Sequence, residues 1–414
     1  MLPLLLALEI LELPEPTWVL EAPSTQAARL GRVPAGSRVV VVERVEGEGC
    51  EDWARIEPYG FACLDGAQPT LESPEALPRR LRFDPPRPEE YDRYLEEGCW
   101  DRDQLEELTP YIYGRRYRNW RAPIYESVEA FEAGEPPSDR LGSVRKFAFV
   151  DWLPSAAGEV LVREDGSVVP LDQVYVYPVS RHEGRDLEAH PLPEDWVPAW
   201  TLSYEGTPLY EAPGGARIDE LAFHTPLEVR LLEGGWAEVL GDGFVRQEQL
   251  RTWVDASPPE AVGPEELWVD IDRGSQMLAL RRGSELLYLT LVSTGTPEGD
   301  HATPLGLFQI QRKYAAKDMS SGPDAEEPYY VEKVPWSLYF HGPYALHGVF
   351  WHWGFGRVAS HGCVNLAPRA AQRLYEELEP AMPAGWDFVL ATPEHPGSVV
   401  RVREGQREGP DFRP

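Results

Sequence analysis

Cationic side chains are scarce in this sequence of 414 residues: 39 Lys and Arg stand against 69 Asp and Glu, a formal net charge of −30. A protein that holds a polyanion needs the opposite sign, which excludes nucleic-acid binding as a main role. No apolar run approaches the roughly 20 residues that cross a bilayer as a helix, which excludes a helical channel or transporter. Cysteine is rare as well, with four residues and neither a CxxC nor a zinc-ligand spacing among them. What is present favours packed β-structure. Hydrophobic residues make up 42% of the chain and aromatics 11%, enough for sizeable cores. Pro at 41 and Gly at 36 favour many short strands and turns over long helices. The length corresponds to two to four domains rather than one.

The charge is unevenly placed. Residues 1–266 hold 25 Lys and Arg against 51 Asp and Glu, net −26, whereas residues 267–392 hold 10 against 14, net −4. The C-terminal third therefore differs in kind from the rest. At the other end, Met1-Leu-Pro-Leu-Leu-Leu-Ala-Leu8 has the apolar part of a secretory leader, but Glu9 interrupts it and no Lys or Arg precedes Arg29. Two readings of residues 1–13 stand: an atypical leader or a buried N-terminal strand. Cys50 and Cys63 bracket two short strands and a turn, a hairpin that brings the pair within disulfide reach. Such a bridge fits an exported protein, periplasmic or in the cell envelope. Cys99 has no evident partner.

The acidic part repeats itself. Leu20-Glu-Ala-Pro23 recurs as Tyr210-Glu-Ala-Pro213, Trp53-Ala-Arg-Ile56 as Trp236-Ala-Glu-Val239, and Gly60-Phe-Ala62 as Gly243-Phe-Val245. A third copy opens at Ala122-Pro-Ile-Tyr-Glu126 and weakens around Val160–Pro170. Runs such as Arg38-Val-Val-Val-Val-Glu43 alternate between Gly and Pro punctuation, the pattern of a small antiparallel barrel. The units resemble bacterial SH3-like modules over 14–70, 108–180 and 200–254. Between them lie a linker over 71–107, with a short helix at Glu89–Glu97, and a second linker over 255–266. Related modules bind cell-wall peptides or act as spacers, and their aromatic residues are more often core than contact surface.

After the second linker come strand-like runs at Leu267–Asp272, Gln276–Leu280 and Glu285–Ser293. Ser293-Thr-Gly-Thr-Pro297 and Ala302-Thr-Pro-Leu-Gly-Leu-Phe308 follow, and then the densest constellation, Leu346-His-Gly-Val-Phe-Trp-His-Trp-Gly-Phe-Gly-Arg-Val-Ala-Ser-His-Gly-Cys-Val-Asn-Leu366. A thiol needs a nearby base or positive field to become a nucleophile. His347, 16 residues before Cys363, leaves room for a strand and a loop to return to it. Gly362 permits a tight turn whose amides can face a developing oxyanion. The residues themselves thus point to a Cys/His acyl-transfer site.

These motifs, in this order, resemble the YkuD-type L,D-transpeptidase family over 267–392, with 393–414 as a tail. The resemblance implies a mainly β protein: SH3-like barrels followed by a β-rich catalytic domain with one or two short helices. It implies that Cys363 attacks a peptidoglycan stem tetrapeptide, forming a thioester and releasing D-alanine. An amine of a neighbouring stem then gives a 3→3 cross-link. Water as acceptor makes the same site an L,D-carboxypeptidase or endopeptidase. His347 takes the thiol proton and the Gly348 carbonyl orients it. Amides of Gly362 and Cys363 form the oxyanion hole, Ser360 and His361 line the site, and Asn365 supports the loop. Trp351, Trp353, His352, Tyr339 and His301 are placed along the cleft. A helix over Pro368–Leu378, with Leu374 and Leu378 on one face, packs behind the cysteine loop. No cofactor and no metal are called for, since the histidine spacings fit no common ligand pattern. The expected partner is the peptidoglycan stem peptide. The different-class rival is a wall-binding protein with a degenerate enzyme domain, against which the presence of both Cys363 and His347 argues.

Overall fold

The computed structural model describes residues 9–78, 109–117, 121–142, 145–296, 301–321 and 328–405. The helix expected at Glu89–Glu97, Cys99 and the first eight residues lie outside them. The described chain is mostly β, with two short helices.

Three small units share one strand connectivity. In the first, Glu9–Glu12 pairs with both Arg38–Val45 and Gln68–Thr70, so the domain's first strand precedes the expected start at residue 14. Thr17–Leu20 pairs with Arg29–Val33, and Arg38–Val45 continues through Trp53–Ile56 to Phe61–Cys63. In the unit nearest the C-terminal domain in sequence, Val197–Thr201 pairs with Pro226–Leu232 and Leu250–Thr252, and Thr207–Tyr210 with Arg217–Leu221. Pro226–Leu232 then runs through Trp236–Val239 to Gly243–Arg246. The repeated Glu-Ala-Pro motif follows the same irregularity in both units: the register shifts at Val19/Leu20 and at Leu209/Tyr210. A bulge there bends the strand and sets the turn, which explains why the motif recurs.

The unit between them follows the same scheme where its sequence looked weakest. Ile112–Arg116 pairs with Arg145–Phe149 and Val174–Val176. Asp151–Ser155, Gly158–Val162 and Val168–Pro170 form a second ladder. A bridge between Tyr125 and Val168 stands where Leu20 meets Phe61 and Tyr210 meets Phe244. The helix Val128–Glu132, capped by the Ser127 side chain, interrupts the repeat and obscures it in sequence. Each unit has its own buried cluster, centred on Ile56, Phe149 and Val229 respectively. Cys50 and Cys63 form a disulfide in the first unit.

In the C-terminal domain, Leu267–Asp272, Met277–Arg282 and Glu285–Ser293 form a meander, and Leu267–Asp272 also runs parallel to Val399–Arg403. Both faces of Leu267–Asp272 are covered. Val269 and Ile271 join the main core, while the buried carboxylates of Asp270 and Asp272 pair with Arg401 and Arg403. Glu285–Ser293 leads through Val364–Leu366 and Tyr344–Gly348 to the long strand Tyr330–His341. The helix spans Pro368–Glu377, with Pro at its first turn, and buries Leu374 against this core.

The small units dock onto that domain rather than standing apart as spacers. Gly31 pairs with Val389, and Trp386 fills the first unit's core. A Cβ on Gly31 would lie 2.3 Å from the Trp386 ring, so only glycine allows this approach. Arg145 and Lys146 extend the sheet alongside Tyr330 and Val331, with Tyr113 stacked on Phe350 at 3.7 Å. Trp200, Leu202 and Trp253 share a core with Leu289, Val349 and Phe355.

Candidate active site

The histidine strand, Tyr344–Gly348, and the cysteine strand, Val364–Leu366, are parallel neighbours, with Leu346 opposite Val364 and His347 opposite Asn365. Cys363 enters this pair immediately before Val364. His347 and Asn365 are register partners and share one side of the sheet, and Cys363 sits in the bend that leads into that strand. His347 is buried, and its Nδ1 lies 3.2 Å from the Gly348 carbonyl oxygen. Nδ1 must carry the proton to donate to that oxygen, which leaves Nε2 as an acceptor. Burial presses the His347 pKa down to about 4.

The thiol of Cys363 is part-accessible and donates to the Pro343 carbonyl oxygen at 3.7 Å. Burial pushes its pKa up to about 11, against a smaller opposing effect of the Ala345 backbone. Tyr339 and Tyr329 lie within the electrostatic reach of this sulfur, which adds to the burial that raises both phenols. The site at rest therefore holds a neutral thiol and a neutral imidazole.

The loop carrying the cysteine is braced from within and from below. Ser360 Oγ accepts from the Gly362 N–H at 3.0 Å and donates to the Cys363 carbonyl oxygen. The Gly362 amide is thus occupied, which departs from the oxyanion role expected of it. Gly362 has φ +117°, and a Cβ there would lie 2.5 Å from the Tyr344 ring. Thr303, fully buried, accepts from the Gly295 N–H at 2.9 Å and donates to the Gly362 carbonyl oxygen at 2.8 Å. Gln276 holds the preceding strand end by accepting from Thr294 N–H and donating to its hydroxyl. Thr303 and Gln276 were not expected as site residues. The signal for Thr303 lay in the Thr303-Pro-Leu-Gly306 motif, whereas nothing local marked Gln276, whose φ is +56°.

The expected cleft residues divide. His301 meets the His361 ring edge-on at 4.7 Å, and Tyr329 approaches His361 at 5.7 Å. Trp351 lies 5.9 Å from the His347 ring. His352 is half-buried beside His347 and Asn365. Its Nε2 accepts from Asn365 Nδ2 at 2.9 Å, and burial, with His347 second, presses its pKa down to about 4. Trp353 points elsewhere. It is 53% exposed and lines a crevice of about 630 Å³ with His182, Phe223 and His224, at the seam with a small unit.

A mostly β domain with an oriented imidazole on one strand and a thiol at the mouth of the adjacent one defines the class. Residues 265–402 match the YkuD family, the L,D-transpeptidase catalytic domain. The C-terminal third is therefore a YkuD-type domain. The YciB protein of Bacillus subtilis (strain 168) is 25% identical over 148 residues, covering 32% of this chain and 74% of that protein. Among solved structures, an Enterococcus faecium L,D-transpeptidase is 18% identical with a TM-score of 0.25, covering 34% of this chain and 50% of that one. An L,D-transpeptidase from Mycobacterium smegmatis is 20% identical with a TM-score of 0.27, covering 42% and 76%. The chain thus spans about half the length of the Enterococcus faecium structure it matches.

Proposed function

We propose that this protein is a peptidoglycan L,D-transpeptidase acting outside the cytoplasm, with Cys363 as nucleophile and His347 as general base. The observation that carries the reading is the His347 tautomer: Nδ1–H on the Gly348 oxygen leaves Nε2 as acceptor on the strand beside the thiol. Cys363 Sγ attacks the carbonyl carbon between the third and fourth residues of a stem tetrapeptide. The C–S bond forms, the thiol proton passes to His347 Nε2, and the C–N bond breaks as that proton reaches the departing D-alanine amine. An amine of a neighbouring stem then attacks the thioester and loses its proton to His347. The new amide is the 3→3 cross-link, and the thiol is restored.

Because thiol and imidazole are both neutral at rest, proton transfer accompanies attack rather than preceding it. The amide of Cys363 takes the oxyanion role, since that of Gly362 is held by Ser360. His361, two residues before the cysteine, and His301, whose ring meets it edge-on, are read as lining the peptide's approach. The three accessory units read as SH3-like modules, on the strength of their repeated strand connectivity. Water as acceptor gives the carboxypeptidase reaction with the same residues.

Incubation with purified tetrapeptide muropeptides, followed by mass analysis, is the test. Cross-linked dimers with loss of one D-alanine are expected, and tripeptides alone assign the carboxypeptidase. An unchanged substrate, with no difference between the protein and its Cys363→Ala variant, overturns the enzyme reading.

A further inference from the structure

Lys146 belongs to an accessory unit, yet its side chain reaches the catalytic histidine's surroundings. Its Nζ lies over the Trp351 ring, 5.4 Å from the centroid, and the same ring is 5.9 Å from His347. Two ring contacts thus join the ammonium to the imidazole, so the two lie no further apart than the span of an extended peptide of about three residues. The backbone around it is fixed. Lys146 pairs with Val331 in a parallel ladder, Tyr113 stacks on Phe350, and Phe350 meets Trp351 edge-on at 4.9 Å.

In a chain with 69 carboxylates, a half-buried cation would be expected to have one as partner. Among the described residues, none lies within ion-pair reach of Lys146 or of Arg115 behind it. Acids of this unit and of the strand it joins have other partners. Glu332 accepts from the Ala148 N–H at 3.2 Å, Glu164 pairs with Lys333 at 2.7 Å, and Asp165 holds Ser167. Arg115 lies over the Tyr175 ring at 4.5 Å. Burial first, and Arg115 second, lower the Lys146 pKa, as for a cation whose counter-charge is missing.

We infer that Lys146, lying over Trp351, binds a carboxylate of the peptide substrate and so makes this accessory unit part of the substrate site. The inference rests on the peptide-substrate reading above. An ammonium in partly dehydrated surroundings, with an indole beneath it, suits a carboxylate that arrives on a peptide lying along the Trp351 face. It also gives a reason for the unit to be built into the edge of the long strand Tyr330–His341 rather than tethered by a linker.

The test uses equilibrium binding to the full-length Cys363→Ala protein, which needs no turnover. The ligands are the free-acid stem tetrapeptide and forms amidated at each carboxylate in turn. One amidated form should bind about tenfold more weakly than the free acid, the scale of a single charge-assisted contact. Adding Lys146→Met, which keeps an apolar stem on Trp351, should bring the free acid to that weaker affinity, and Lys146→Arg should restore the preference. Equal affinity for every form, absence of binding by any form, or a preference that survives Lys146→Met overturns the proposal. Turnover by the Cys363 protein is scored separately. A Lys146-dependent preference without turnover sinks the transpeptidase reading alone, and turnover without the preference sinks this subsite alone.

Discussion

Small residues set how closely the cysteine loop approaches the end of strand Glu285–Ser293. A Cβ on Gly295 would lie 1.9 Å from the His301 carbonyl oxygen and 2.7 Å from Gly362 Cα, so the Ser-Thr-Gly motif is a close backbone approach. Thr303 ties the two glycines together, and Ser360 sets the turn. The sequence motifs are therefore one packing unit. The thiol they present has its pKa pushed up to about 11 by burial, and His347 is pressed down to about 4. On those values the thiolate fraction at pH 7 is on the order of one part in ten thousand. Alkylation of Cys363 by iodoacetamide should then climb about tenfold per pH unit through pH 8 to 10. Peptide mapping of labelled Cys363 checks this. A rate already at its plateau near pH 7 would show a thiolate–imidazolium pair and refute the neutral resting state.

At the scale of elements, the helix Pro368–Glu377 shows what could and could not be read in advance. Its N-terminal Pro and the Leu374 and Leu378 positions were legible, because proline placement and helical spacing are local signals. The device at its other end was not. Lys313, fully buried on strand Arg312–Ser320, donates to the carbonyl oxygens of Tyr375 and Leu378, capping the helix from a distant part of the chain. Burial lowers its pKa to about 7, partly offset by Glu379 and Glu376. No local pattern announces a side chain that meets a helix more than sixty residues later. The middle small unit was obscured for a related reason, since an inserted helix breaks the repeat period while leaving the long-range pairing intact. Lys313→Met removes two donors to buried carbonyls and should destabilise the domain by about 2–4 kcal/mol. Denaturant unfolding measures it, and a change below about 0.5 kcal/mol would deny the capping role.

For the whole molecule, the charge partition takes on a structural meaning that composition alone did not carry. Acids of the N-terminal two thirds meet cations of the catalytic domain: Glu183 with Arg369, Asp186 with Arg373, Glu188 with Arg282, Asp255 with Arg281 and Glu164 with Lys333. Five of the ten Lys and Arg within 267–392 are paired in this way, so part of the acidity is a docking surface as well as a solvated one. Four of these pairs join part-exposed cations and contribute little individually, whereas Asp255 meets the buried Arg281, and the seams depend more on such buried groups. His182 and His224 sit with Phe355 at one seam, the latter 2.8 Å from the Phe355 oxygen through Nε2. Burial holds His182 well below the ordinary range and His224 at about 4, with His347 and His352 alongside. Folded imidazoles that stay neutral bind fewer protons than unfolded ones, which titrate near 6.5. Their contribution is therefore complete above about pH 6.5 and is lost as pH falls towards 4, by up to about 1.4 kcal/mol per pH unit for each histidine. Denaturation midpoints measured from pH 7.5 to 4.5 should start to fall below about pH 6.5, before carboxylates protonate. His224→Gln should flatten that slope. A midpoint constant down to pH 5 would mean that these histidines are not held neutral, and the seam would then need another account.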